Sequence, residues 1–173
     1  MYNINDNVVA LATAVGPSAI NVIRCSGPDV LKITQKITNK KKPLKANFCF
    51  VSFIKNPQTQ EVVDQCMVTP FLKPKSYTGQ NMVEFSIHGG TGVYEKMIKL
   101  LGDEGCRLAE KGEFTYRAFI NGKIDLIQAE SIASIINSNS ALGIRYSLEN
   151  LSGALSNTIE TLCQQLRNII TRQ

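Results

Sequence analysis

The sequence predicts a chain of mixed α and β class, with its strands in the first two thirds and helices alone at the end. Three observations carry this. Short β-branched and alternating segments, bounded by Gly and Pro, recur from Asn7 to Ala109. Gly112 to Ile136 (GEFTYRAFINGKIDLIQAESIASII) reads as helix, sharp break, helix. From Ser140 onward, leucines and isoleucines fall three and four apart. A chain of 173 residues allows one domain, or one domain with an appendage.

Asn7 to Thr13 (NVVALAT) is β-rich and reads as a first strand. A turn at 15–19 with Gly16-Pro17 as breaker leads to a second strand, Ala19 to Cys25 (AINVIRC). Arg24 lies near its end, before the turn Ser26-Gly27-Pro28. Asp29 to Ile37 has Val30, Ile33 and Ile37 on one face, a short amphipathic helix with Asp29 as its cap. A lysine-rich loop follows, with Lys40, Lys41, Lys42 and Lys45. Asn47 to Ile54 (NFCFVSFI) is a strand with Phe48, Phe50 and Phe53 as expected core anchors. NPQTQ at 56–60 is a hairpin turn, so Glu61 to Pro70 pairs back antiparallel.

After a long loop around Pro74 and Gly79, Val83 to Ile87 forms a strand running into His88-Gly89-Gly90. The double glycine opens a helix from Thr91 to Leu101 with Val93, Met97, Leu100 and Leu101 inward. Cys106 to Ala109 is a last short strand.

Phe114, Ala118 and Phe119 recur at helical spacing, and Asn121-Gly122 stops that helix, since glycine reaches the left-handed C-cap conformation freely. Asp125 with Gln128 three residues later forms a capping-box start for the next helix. Lys123 stands in the break, just ahead of a helix N-terminus. Exposed N–H groups, the helix dipole and an ammonium all favour an anion there; the plainer reading is a solvated loop lysine. Leu148, Leu151, Leu155, Ile159, Leu162, Leu166 and Ile169 predict one long amphipathic helix, weakened locally by Gly153. A stripe of that length asks for helical partners, from a continuing helical domain or another chain.

Apolar residues make up 43% and charged ones 19%, the composition of an ordinary globular protein with room for a core. The net charge of +5 permits an anionic partner without demanding one. The five cysteines are odd in number and widely spread, with no CxxC pair, so neither a zinc site nor a disulfide framework is indicated. Reduced thiols in a cytoplasmic protein fit best. One histidine makes a histidine-built metal site improbable. Neither a signal peptide nor a membrane-spanning apolar run is expected.

Candidate chemistry rests on few residues. His88, beside two glycines at a strand end, reads as a structural or substrate-orienting group before a general base. Glu84 and Arg24 each lie within a strand, either on a solvent face or aimed into a pocket. The basic loop at 40–45 reads as a solvated loop or a phosphate-binding patch. The strand–glycine–helix turn lacks GxGxxG and the Walker A pattern, so no nucleotide site follows.

Three segments taken together resemble a known family: NVVALATAVGPSAINVIRCSGPD, SYTGQNMVEFSIHGG and KGEFTYRAFINGKIDLIQAESIASII. In this order and spacing they are similar to the N-terminal region of the tRNA modification GTPases called MnmE or TrmE. The resemblance implies an α+β domain with a mixed or antiparallel sheet, akin to the folate-binding domain of aminomethyltransferases. A partial α-helical domain would follow it. The division implied is a folate-binding and dimerisation domain over 1–119 and the opening of the helical domain over 120–173. The implied ligand is 5-formyl-tetrahydrofolate or a related one-carbon folate, serving (carboxymethyl)aminomethylation of the tRNA wobble uridine. The implied partners are a second copy in a homodimer, the FAD-dependent MnmG (GidA) and tRNA.

By motif, Arg24 (VIRCSG), Glu84 (MVEFSIHGG) and Lys123 (NGKIDL) match the family's folate contacts. Ion pairing by the two cations and hydrogen bonding of the pterin ring by Glu84 are the implied roles. No catalytic residue and no metal ligand is implied in this stretch. The GTPase domain, with its GTP, Mg and K, and the terminal cysteine motif of the family are absent, so GTP turnover by this chain alone is not expected. Gln80 and Asn81 replace an acidic pair usual after SYTG, and the loop at 15–19 lacks an arginine that some members carry. Rival readings are a free-standing folate-dependent transferase and an RNA-binding or dimerisation module without ligand.

Overall fold

The structure, a computed structural model, describes residues 3–16 and 18–171. Pro17 of the expected turn and Gln173 lie outside the described residues. The chain divides into two compact units, Met1–Ala118 and Phe119–Gln173. The expected α+β class holds: a six-stranded mixed sheet with six helices among the described residues.

In the first unit the elements run β1 (Asn7–Leu11), β2 (Ile20–Ser26), α1 (Val30–Ile37), β3 (Phe50–Lys55), β4 (Val62–Phe71), β5 (Met82–His88), α2 (Thr91–Asp103) and β6 (Cys106–Leu108). The sheet order is β3-β4-β5-β2-β1-β6. β1 pairs parallel with β6, and every other neighbouring pair is antiparallel.

Alternation along the strands sorts the two faces of the sheet. Ile23 and Cys25 of β2, Val83, Phe85 and Ile87 of β5, and Cys66 and Val68 of β4 are buried. They pack with Val30, Ile33 and Ile37 of α1 and Met97, Leu100 and Leu101 of α2 to form the core. The residues between them, including Arg24, Glu84, Thr69, Ser86 and Met67, face the other way. That second face is open over much of its width: Ile20, Val51, Phe53 and Met67 are each half or more exposed.

Two expectations fail at this sheet. Phe48 and Phe53 are exposed and do not anchor the core; Phe50 is half-buried against it and Ile54 is fully buried in their place. The expected strand from Asn47 begins only at Phe50, which leaves Phe48 in the preceding loop, and an aromatic run cannot reveal that the side of the edge strand carrying Phe53 is open. Asp29 occupies the N-cap position of α1, but its carboxylate makes no cap hydrogen bond. It pairs instead with Lys32, Nζ to Oδ1 at 2.9 Å.

α3 (Glu113–Ile120) spans the unit boundary, and Gly122 after it takes φ +66°, the left-handed stop that was expected. The second unit holds α4 (Leu126–Asn137), α5 (Ala141–Leu151) and α6 (Ala154–Ile170). The capping box forms: the Gln128 amide donates to Asp125 Oδ1 at 2.8 Å, and the Asp125 amide donates to Gln128 Oε1 at 2.9 Å. The single long helix expected after Ser140 is two helices. Gly153, at φ +92°, is the break, because a left-handed residue ends the i to i−4 ladder outright. Gln128 Nε2 then caps the end of α5 by donating to the Leu151 carbonyl at 2.9 Å. Leu155, Ile159, Leu162, Leu166 and Ile169 of α6 stay 42–63% exposed. No helix among the described residues is long and apolar enough to cross a membrane.

Candidate functional site

Strand register places Arg24 of β2 directly opposite Glu84 of β5. Both lie on the sheet face away from the core. Arg24 Nη2 is 2.7 Å and Nε 2.8 Å from the same oxygen, Glu84 Oε1. Glu84 Oε2 receives no protein donor among the described residues, so half of the carboxylate remains able to accept. The side chains are 30% and 25% exposed, enough to be reached and enough to be only partly solvated.

Two aromatic rings flank the guanidinium. Its carbon lies 5.6 Å from the centroid of Tyr77 and 5.7 Å from that of Phe114. Both distances are within cation–π range, so each ring adds to the attraction that holds the cation in place. Tyr77 is itself fixed by a 2.8 Å hydrogen bond between its hydroxyl and Thr115 Oγ1. The loop carrying Tyr77 is pinned by its buried neighbours. Thr78 Oγ1 is 2.8 Å from Ser26 Oγ, and Ser76 Oγ donates to the Gln80 carbonyl. The product is a charged pair with an aromatic surround and one idle carboxylate oxygen. Chemically, that set suits a planar ligand carrying N–H donors and an anionic or carbonyl group.

Of the three motif-matched residues, the structure joins Arg24 and Glu84. Lys123 belongs to the second unit, exposed in the break between α3 and α4. His88 Nδ1 donates to Asp64 Oδ1 at 2.7 Å, and its amide donates to Asp64 Oδ2 at 2.9 Å. The carboxylate thereby ties the end of β5 to β4. The imidazole borders a cavity of 330 Å³ on the open sheet face, shared with Ile20, Val51, Met67 and Ser86.

A second charged cluster was not foreseen. Arg117 of α3 is fully buried. It donates to Glu113 Oε1 at 2.9 Å, to Gln80 Oε1 at 2.8 Å and to the carbonyls of Asp6 (2.9 Å), Asn3 (3.2 Å) and Ile4 (3.3 Å). Arg107 forks onto both oxygens of Glu113 at 2.7 and 2.9 Å and reaches Asp6 Oδ2 at 2.8 Å. Burial pushes the Glu113 carboxyl up, but the bonds from Arg107, the Glu110 amide and Arg117 overcome it and hold it at about 2. The only sequence signal was the i, i+4 spacing of Glu113 and Arg117. Gln80 therefore has a scaffold duty: its carbonyl takes Arg117 and its amide holds the Ile4 carbonyl at 2.7 Å. Asn81 Oδ1 accepts from the Lys73 amide at 3.1 Å.

All five cysteines are free thiols. Burial pushes the Cys66 thiol up to about 12, and the Asp64 charge adds to this. No cluster of three or more His, Cys, Asp or Glu that could hold a metal ion occurs among the described residues.

The family model described as GTP-binding protein TrmE N-terminus matches residues 7–123. The chain is similar to the tRNA modification GTPase MnmE of Fervidobacterium nodosum, at 46% identity over 98% of this chain and 38% of that protein. It is 40% identical to that of Thermus thermophilus over 97% of this chain and 39% of the relative. The Treponema denticola protein matches at 40% over 98% of this chain and 36% of its own length. The chain thus spans less than half the length of these relatives. On the matched stretch and on these identities, it belongs to the TrmE N-terminal family of tRNA modification GTPases.

Proposed function

We propose that the first unit binds a one-carbon tetrahydrofolate, 5-formyl-tetrahydrofolate or a close relative, at the Arg24–Glu84 pair. The observation that carries this is the carboxylate half engaged by Arg24 and half idle, beside two aromatic rings. Glu84 is the group that receives N–H donors of the pterin ring, since Oε2 has capacity left. Arg24 supplies the positive charge for a carbonyl or carboxylate. Lys123, on the match of its NGKIDL motif, is proposed as a further cation toward the folate. When bound, the folate supplies the one-carbon unit; this chain's residues bind and orient it.

In this reading residues 1–119 form the folate-binding and dimerisation domain, and 120–173 open a helical domain. The whole protein then serves (carboxymethyl)aminomethylation of the tRNA wobble uridine as a cytoplasmic homodimer with the FAD-dependent MnmG. The relatives' names support the tRNA assignment. Calorimetric titration of the purified chain with 5-formyl-tetrahydrofolate tests the folate site. Saturable binding that Arg24→Ala weakens supports it; absence of binding by a folded chain refutes it.

A further inference from the structure

From residue 30 to 60 the chain carries seven lysines and no arginine, aspartate or glutamate. This chain carries only +5 in all, so this one stretch outweighs that total and the other residues are net acidic. The fold concentrates the charge further. Lys32 is paired with Asp29 and Lys36 with Glu104. Lys41, Lys42 and Lys45, in the loop from α1 to β3, are exposed and form no ion pair among the described residues. Lys40 lies 4.0 Å from the centroid of the Phe50 ring.

The loop is not a slack tether. The Lys40 amide donates to the Gln35 carbonyl at 3.0 Å, and Gln35 Nε2 donates to the Lys42 carbonyl at 3.0 Å. Leu44 is buried beneath, and the Asn47 amide reaches the Pro70 carbonyl at 2.8 Å. Asn39 and Asn47 turn the chain at φ 51° and 56° at either end. Phe48, on the same segment, is 59% exposed. Holding like charges together in a fixed loop costs self-repulsion that a row of phosphates relieves. Prior ordering lowers the entropy lost on binding. An exposed ring offers a stacking platform for an unpaired base.

We propose that this loop is an RNA-docking surface, with Lys40, Lys41, Lys42 and Lys45 on backbone phosphates and Phe48 against a base. The choice of RNA among polyanions rests on the tRNA-modification reading; the charge arrangement stands without it. The test is fluorescence anisotropy of a labelled tRNA titrated with the intact chain. Affinity is expected to fall on the order of 100-fold between about 50 and 200 mM salt, and each of Lys41→Ala, Lys42→Ala and Lys45→Ala lowers the salt slope by about one. The variant with all four lysines changed to alanine loses binding, while Lys96→Ala, whose ammonium pairs with Glu61, keeps it.

Folded variants that bind tRNA as the wild type does overturn the proposal, as does no binding at about 50 mM salt. Equal affinity for duplex DNA with a matched number of phosphates overturns the assignment to RNA. Binding to phosphatidylserine vesicles without binding tRNA makes the loop a membrane contact and also overturns it. The loop variants should titrate 5-formyl-tetrahydrofolate normally, so failure here and failure of the folate site are separable.

Discussion

Arg24 and Glu84, sixty residues apart in sequence, meet at 2.7 Å on the face of the sheet opposite the core. Both nitrogens of the contact use one oxygen of Glu84. A pair kept for scaffold stability alone gains most from engaging both oxygens in a fork, as Arg107 does with Glu113. Arg24 and Glu84 leave capacity unused, which is what a binding pair needs.

Arg24→Ala should weaken folate binding by about 1.5–3 kcal/mol, the range for a lost bond to a charged group. Stability should drop by no more than about 1 kcal/mol, because a partly exposed cross-strand pair contributes little. Titration and chemical denaturation on the same preparations separate the two effects. A large loss of stability with unchanged affinity would make Arg24 structural.

Glu113 makes the first unit acid-sensitive. Its carboxyl is held at about 2, below the ordinary value of 4.5. A depressed carboxylate contributes stability that is complete above its unfolded value and is lost as pH falls through the folded value. Stability should therefore decline from about pH 5 to pH 2 by about 3 kcal/mol through this group. Denaturation midpoints across that range check it. Glu113→Gln should cost about 3–5 kcal/mol at neutral pH by leaving the buried Arg117 guanidinium without its carboxylate, and should flatten the acid limb.

The thiols should sort by exposure. Cys49 and Cys163 are exposed, whereas Cys25, Cys66 and Cys106 are buried. With Cys66 at about 12, its thiolate is scarce at any ordinary pH. Ellman's reagent at pH 8 should label Cys49 and Cys163 quickly and the buried thiols only on unfolding. Rapid labelling of Cys66 in the native protein would contradict the packing described.

Gly153→Ala should destabilise the second unit by about 1–2 kcal/mol, since a side chain resists the left-handed conformation. Helical circular dichroism followed through thermal melting reads this. A variant of raised stability would mean that α5 and α6 fuse into the single helix that the leucine spacing suggests.

The strands, α2, and the helix break at Gly122 were legible because each rests on local chemistry: alternation, glycine, a capping box. Gly153 was visible as a weak point but not as a full stop; helix propensity says what a glycine costs in a helix, not that it turns left-handed. Phe53 misled because hydrophobicity does not tell which face of an edge strand is covered, and Phe48 because the strand begins only at Phe50. The candidate site was half legible. Motifs named Arg24 and Glu84, but their contact depends on the register of β2 against β5, and their aromatic neighbours come from a loop and from α3. Arg117 was hidden, since a buried arginine makes sense only once residues 3–6, Gln80 and Glu113 are brought around it.

The most direct measurement is a double-mutant cycle on folate affinity, using calorimetry with wild type, Arg24→Ala, Glu84→Gln and the double variant. Saturable binding is expected for the wild type and at least about tenfold weaker binding for each single variant, since a bond to a charged group is lost. The double variant should lose less than the sum, because the two residues share one oxygen and act together. Folded single variants that bind as tightly as the wild type would place the folate site elsewhere.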